Sequence, residues 1–273
     1  DYRRLNEYRG SEDSPEDAAR IPLLERSDLS SDPDYQPSRR IPVEGGELIF
    51  QERDTNSIAY IDWRYDLRRL DKSLRPYYRI FTELFGAVDT KSHGYAELSD
   101  LIDCYTGGTV HVLRMIDPVS GDPVIPTMSW RTKFLYHNAD KAFAINREIL
   151  LETDFSDTDH IRDMLLQLKT GYERDLLESS NGVASDLGLS SYSEYYAWKE
   201  ELQGYSFYQF LCSLLDGFDS RKEELVAALE AVRNNLFDVD GWQSAYVGEE
   251  TFLPQAQSMT ESFIKLLGEG RPA

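Results

Sequence analysis

Residues 95–112, with the sequence YAELSDLIDCYTGGTVHV, combine a helix, a tight turn and a strand in a short stretch of chain. The helix is predicted by apolar side chains at helical spacing: Leu98, Leu101 and Ile102. The triplet TGG at 106–108 ends it, because glycine adopts the left-handed conformation at little steric cost. Residues 109–115 are rich in β-branched side chains and predict a strand. No catalytic residue type is placed here, so the stretch specifies architecture.

Two other stretches alternate with the period of a half-buried strand. Residues 57–67 place on one face Ala59, Ile61, Trp63, Tyr65 and Leu67, and on the other Asp62, Arg64 and Asp66. Residues 127–136 place inward Met128, Trp130 and Phe134, and outward Ser129, Arg131 and Lys133. Each pattern predicts an antiparallel strand with helices on one side and water or a cavity on the other.

The remaining elements complete a fold prediction. Two further strands are predicted at 47–51 and 242–247. Helical patterns occupy 75–88, 139–152, 158–177, 183–187, 191–202, 206–215, 220–236 and 253–267. This order is typical of an α+β fold: a mostly antiparallel sheet with helices packed on one face.

Composition limits the class of protein. The chain has 273 residues, 29 basic and 49 acidic, and a formal charge of −20. Nucleic-acid binding is not expected, since phosphate contact needs a basic surface. No apolar run reaches the length of a membrane helix, so no membrane contact is expected. Two cysteines, Cys104 and Cys212, are predicted to be buried free thiols in a reducing, intracellular setting.

Residues 1–45 are expected to form a connector, and residues 46–273 a single domain. The connector is rich in Pro and Asp, with a helix start at Ser14 and Pro15. The sequence begins at Asp1 without a methionine and inside a charged helical pattern. We therefore expect a piece of a longer polypeptide.

Motifs for catalysis are not recognisable in the sequence. None of the four histidines stands in an H-E-x-x-H or H-x-x-E-H spacing, which would direct two imidazoles to one zinc ion. Asp157, Asp159, His160 and Asp163 crowd together, but acids in a first helical turn are explained by the helix dipole. No catalytic residue, metal ligand or cofactor is therefore predicted in this chain.

One polar constellation remains. The outward face of the predicted sheet would collect possible peptide-contacting residues: Asp62, Arg64, His111, Ser129, Arg131 and Lys133. An ordinary solvated face and a ligand-facing wall both account for these side chains. Basic residues on one face of a strongly acidic protein favour a functional face, such as one that pairs with acidic groups.

Several ordered motifs resemble one protein family. LIDCYTGGTVHV is similar to a helix–TGG–strand segment in the third domain of the presequence proteases, zinc metallopeptidases of the pitrilysin superfamily. Residues 131–133 resemble the R-G-K strand of that family, with Thr132 in place of glycine. Similar segments occur, in the family's order, at 16–17, 21–24, 27–29, 55–60, 65–67 and 204–211.

The resemblance implies a pitrilysin-type fold and a place in a larger enzyme. Such proteins consist of two halves, each of two similar α/β domains, which are joined by a helical hairpin and close around a peptide-sized chamber. The zinc ion, its H-x-x-E-H ligands and the catalytic Glu belong to the first domain, so none of them is carried over to this chain. Residues 1–45 would then be the connector after the hairpin, and residues 46–273 the third domain.

The resemblance thus implies a non-catalytic segment of a zinc-dependent oligopeptidase that degrades unstructured peptides. Its partners would be the remaining domains of the same polypeptide and the peptide substrates. The compartment would be the cytoplasm for a bacterial parent and an organelle for a eukaryotic one. The alternative is a stand-alone scaffold or peptide-binding module, since fold does not fix function.

Overall fold

The computed structural model describes residues 2–11, 13–30 and 36–269. The chain divides into two compact units, residues 1–36 and residues 37–273. The first unit contains helix α1 (Tyr2–Gly10), helix α2 (Pro15–Ala18) and a 3-10 turn (Arg26–Asp28). Ser14 caps α2 by accepting a hydrogen bond from the Asp17 N–H, which confirms the predicted helix start. The described residues of this unit that precede Gln36 are all exposed.

The second unit is built on a six-stranded sheet. Its strands are β1 (Arg39–Val43), β2 (Gly46–Glu52), β3 (Ile58–Asp66), β4 (Thr109–Ile116), β5 (Ile125–Leu135) and β6 (Trp242–Gly248). The spatial order is β1-β2-β6-β3-β5-β4. β2 and β6 run parallel, and the other neighbouring pairs run antiparallel. The sheet is therefore mixed but mostly antiparallel, as predicted.

Strand β1 begins before the predicted boundary between residues 45 and 46. It pairs with β2 through Ile41 and Leu48, so the sheet already includes residues that the sequence assigned to the connector. Proline is tolerated at Pro42 because β1 is an edge strand, where one side of the backbone needs no ladder partner. The Pro content that suggested a connector is thus typical of a sheet edge.

Helices follow and interrupt the strands. They are α3 (Arg75–Leu84), α4 (Tyr95–Tyr105), α5 (Ala139–Glu152), α6 (Thr158–Glu178), α7 (Ser180–Leu189), α8 (Glu194–Gln203), α9 (Tyr205–Asp216), α10 (Phe218–Asn235) and α11 (Leu253–Glu269). Their apolar faces form one core with the alternate strand residues that point to the same side of the sheet. This arrangement confirms the α+β class.

An aromatic cluster forms the centre of this core. Trp63 of β3 and Trp130 of β5 are fully buried, with ring centroids 5.3 Å apart. Phe263 of α11 stacks on Trp63 at 4.8 Å, and Phe85 meets Trp130 edge to face at 5.1 Å. The cluster joins the middle strands to helices from both ends of the domain.

The TGG turn has a physical reason at each glycine. Gly108 has φ +107°, a conformation that side chains with a Cβ rarely adopt. A Cβ on Gly107 would lie 2.8 Å from Lys133 Cε, so glycine is needed for the lysine side chain to cross this point. α4 and β4 therefore form at the predicted positions. Cys104 of α4 is exposed, against prediction, because it lies on the face of α4 away from the buried Leu98.

Candidate functional site

The sheet has one face that the helices leave open. Strand alternation and register place on it Tyr60, Asp62 and Arg64 of β3, opposite Lys133, Arg131 and Ser129 of β5. The charged residues at open-face positions are the cations Arg40, Arg64, Arg114, Arg131 and Lys133 and the anions Glu47, Asp62 and Asp66. Cations outnumber anions on this face, although the chain as a whole carries a charge of −20.

Asp62 holds two arginines at the centre of the open face. Its Oδ2 atom accepts a hydrogen bond from Arg64 Nε at 2.9 Å and lies 2.8 Å from Arg64 Nη2. The same oxygen accepts from Arg131 Nε at 3.4 Å. Asp62 Oδ1 is buried and has no hydrogen-bond partner in the described part of the chain. One carboxylate therefore orients two guanidinium groups and neutralises only one of the two positive charges.

A depression of about 380 Å³ lies over this cluster. It is lined by Tyr60, Ile61, Asp62, Arg64, Gly107, Gly108, Val110, Arg131, Thr132, Lys133, Ala245 and Val247. Its volume falls at the lower end of the range of about 300–1,000 Å³ that is usual for small-molecule sites. The structure thus brings together four of the predicted residues, Asp62, Arg64, Arg131 and Lys133.

The TGG turn forms one rim of the depression and fixes the strand beside it. Gly107 N–H donates to the Lys133 carbonyl at 2.7 Å, outside the regular β4–β5 ladder. The aliphatic part of the Lys133 side chain passes over Gly107, while the residue as a whole is exposed. The turn therefore positions Lys133, a role that the motif alone did not reveal.

His111 lies on the opposite face from the other predicted residues. It pairs with Trp130 across β4 and β5, so it points into the helix-covered core. Its ring meets Phe85 at 4.8 Å, and burial lowers the pKa of His111 to about 3. The prediction of an outward His111 is wrong because the cross-strand register, which the sequence does not specify, assigns the open face to Val110 and Val112.

Ser129 lies on the predicted open face but is fully buried. Its Oγ atom has no hydrogen-bond partner among the described residues. A ligand on the surface does not reach this hydroxyl in the present conformation, so we do not retain Ser129 as a contact residue.

A larger cavity of about 580 Å³ lies among α3, α6, α7, α8 and α9. Polar groups at its wall already bond one another: Lys199 Nζ to Asp186 Oδ2 at 2.6 Å, and Tyr172 O–H to the Gln203 carbonyl at 3.0 Å. We interpret it as a gap between helices whose polar lining is internally matched.

A histidine–carboxylate pair links the segment before α4 to α5. Glu148 Oε1 lies 2.8 Å from His93 Nδ1 and accepts from Thr90 Oγ1 at 2.5 Å. The hydrogen bond to Glu148 raises the pKa of His93 above its usual value of about 6.5. Because the folded-state pKa is the higher one, the pair stabilises the fold fully below about pH 6.5 and loses its effect as the pH rises through the folded-state pKa.

We therefore expect His93→Gln to reduce the free energy of unfolding more at pH 5.5 than at pH 8.5. Urea unfolding at the two pH values measures the difference, and an NMR titration of the imidazole gives the pKa directly. His137→Gln is the matched control, since His137 is exposed and makes no ion pair in the described part of the chain. An equal loss at both pH values would contradict the assignment.

No group of three or more His, Cys, Asp or Glu side chains within the described residues is arranged to hold a metal ion. The histidines do not converge: His111 is buried beside Trp130, and His93 is engaged by Glu148. The residues present therefore do not fit a zinc site. None of the described helices is long and apolar enough to cross a membrane.

Comparison with known proteins places this fold in a class of peptidase-associated domains. Residues 1–214 match the model of the family associated with subfamily C of the M16 peptidases. The fold also matches the crystal structure of a peptidase M16 inactive domain from Pseudomonas fluorescens, with a TM-score of 0.55, 10% identity, and coverage of 87% of this chain and 52% of that chain. The chain therefore belongs to this family of peptidase-associated segments.

Two curated proteins show the extent of the likeness. Protein HypA of Clostridium perfringens is 23% identical over 91% of this chain and 25% of its own length. Presequence protease 1, chloroplastic/mitochondrial, of Arabidopsis thaliana is 25% identical over 94% of this chain and 24% of its own length. The chain spans about a quarter of these relatives.

Proposed function

We propose that this chain is a non-catalytic segment of a zinc-dependent oligopeptidase, and that the open face of its sheet lines the chamber in which unstructured peptides are degraded. The observation that carries the proposal is the excess of cations on the open face of a strongly acidic chain, centred on a depression. The similarity to a protein named presequence protease, of which the chain spans a quarter, supports a place within a larger peptidase.

The zinc ion and the residues that activate water would then lie in another domain of the parent. The described residues of this chain would hold and orient the peptide and exclude bulk water, and the helix-covered face would keep the wall rigid. The partners are the other domains and the peptides themselves. The compartment follows the parent: an organelle in eukaryotes, as the name of the Arabidopsis relative states for that protein, and the cytoplasm in bacteria.

The open face has the properties that peptide binding requires. An unstructured peptide loses conformational freedom on binding, so a prearranged surface reduces the entropic cost. Asp62 holds the guanidinium groups of Arg64 and Arg131 in place before any ligand arrives. The strands behind them are fixed by the buried aromatic cluster.

In the full-length enzyme, we expect the double variant Arg131→Ala, Lys133→Ala to lower kcat/KM for unstructured peptides roughly tenfold, which corresponds to about 1.4 kcal/mol. The loss should appear mainly in KM, since contacts remote from the zinc ion bind substrate and transition state alike. Steady-state kinetics on several peptides measure it.

Arg174→Ala provides the control, because Arg174 is an exposed cation of α6 with only a 4.0 Å contact to Asp175. An unchanged kcat/KM in the double variant across all peptides would refute the wall. Sequencing the parent reading frame for H-x-x-E-H tests the enzymatic context separately, and its absence would favour a stand-alone scaffold.

A further inference from the structure

We infer that the depression on the open face is a subsite for the acidic side chains of an extended peptide. This inference rests on the proposed function and specifies the substrate class. Three cations, Arg64, Arg131 and Lys133, line the depression, and Asp62 is the one anion among its lining residues. The local charge is therefore positive, so an anionic group of the peptide is attracted and a cationic group is repelled.

Donor groups remain free for such a ligand. A guanidinium carries five N–H donors. Arg131 uses only Nε toward Asp62, so both of its terminal nitrogens are without a hydrogen-bond partner in the described part of the chain. Lys133 Nζ likewise has no carboxylate partner there, since Gly107 contacts only the aliphatic part of the side chain. Arginine at such a position can bind a carboxylate through two parallel N–H bonds.

Spacing favours acidic side chains over a C-terminal carboxylate. Arg131 and Lys133 stand two residues apart on β5, which separates them by about 7 Å along the strand. A peptide that runs extended beside them presents its own alternate side chains at the same interval. The depression spans lining residues from β3, β4, β5 and β6, so it is not the end-on pocket that a chain terminus would need.

The TGG turn contributes by positioning Lys133. Gly107 binds the Lys133 carbonyl and leaves room for the lysine side chain, which directs the ammonium group along the rim. The residues of the motif that resembled a family signature thus have a physical task at the subsite.

Peptide pairs in the full-length enzyme test the inference. One unstructured peptide carries Glu at positions i and i+2, and its partner carries Gln at the same positions. Each is made with a free and an amidated C-terminus. We expect the wild-type enzyme to favour the Glu peptide about tenfold in KM, and this preference to weaken as the salt concentration rises, since exposed charges are screened.

The variant Lys133→Glu gives the sharpest readout. Lys133 is exposed, so this change is compatible with folding. It should abolish the preference for the Glu peptide and favour a peptide with Lys at the same positions. Arg174→Glu, on the exposed surface of α6, is the matched control and should leave the preference intact.

The outcomes separate this inference from the proposed function. If Arg131→Ala, Lys133→Ala weakens the Glu and Gln peptides equally, the wall stands and the acidic subsite is refuted. If the Glu preference survives in Lys133→Glu, the acid is recognised elsewhere, and the inference fails. If only C-terminal amidation alters KM, the ligand is a chain terminus and the inference also fails. If no peptide responds to any of these variants, both proposals are refuted.

Discussion

Replacing Trp130 with alanine is expected to lower the free energy of unfolding by about 3–5 kcal/mol, the cost usual for removing a large aromatic side chain from a core. Trp130 is fully buried at the junction of β5 with Trp63, Phe85 and Phe263. The loss combines the transfer energy of the indole with the cavity that its neighbours cannot fill. Urea unfolding followed by circular dichroism measures the change.

The same substitution has a second, more specific consequence. His111 is kept neutral by burial against Trp130 and Phe85, which lowers its pKa. Water that enters the cavity should raise the pKa of His111 toward its usual value of about 6.5, and an NMR titration can follow it.

Two further variants control this experiment. Trp130→Phe retains a ring and should lose less stability, which keeps the test usable if the alanine variant does not fold. Tyr192→Ala removes an aromatic side chain that is 91% exposed, and we expect almost no change. A loss below about 1 kcal/mol for Trp130→Ala with an unaltered His111 pKa would show that the aromatic cluster does not organise the core.

The second large effect is expected at Gly204, which joins α8 to α9. Glu200 caps the start of α9: its Oε1 accepts from the Ser206 N–H at 2.7 Å and from Ser206 Oγ at 3.0 Å. A Cβ on Gly204 would lie 2.1 Å from Glu200 Oε2 and 2.7 Å from Glu200 Cα. The second clash involves backbone, so a side-chain rotation alone cannot relieve it.

We therefore expect Gly204→Ala to destabilise the fold by about 3 kcal/mol, at the upper end of the usual cost of overpacking. Gly171→Ala is the matched control, since Gly171 lies inside α6 with nothing within 4 Å of the added methyl group. That change should stabilise by about 0.5–1 kcal/mol, because alanine is the better helix former. Denaturant unfolding of both variants should give opposite signs, and the same sign would contradict the close contact at Gly204.

The agreement between sequence and structure is greatest where the signal is local. Alternation over 57–67 and 127–136 was sufficient to predict Trp63 and Trp130 as buried, and Asp62, Arg64, Arg131 and Lys133 as outward. Each of these predictions needs only the two-residue period of a strand, which the amino-acid order carries directly. The helix, turn and strand of 95–112 belong to the same class.

Disagreements arise where two distant segments must be aligned. His111 was expected on the open face, yet its pairing with Trp130 directs it into the core, and a shift of one residue along β4 would have reversed this. The insertion of β6 between β2 and β3, parallel to β2, follows from a contact across nearly two hundred residues. Edge strand β1 was missed because Pro42 and its charged neighbours are typical of a loop as well as of an edge.

The sequence by itself therefore determined which residues form helices and strands, which side of β3 and β5 is apolar, and that a TGG turn separates α4 from β4. Tertiary structure alone decided that Arg64 and Arg131 share the Asp62 carboxylate, that Gly107 clears a path for Lys133, and that His111 leaves the surface. The physical reason is that periodicity is a property of neighbouring residues, whereas charge clusters depend on the register between strands far apart in the chain.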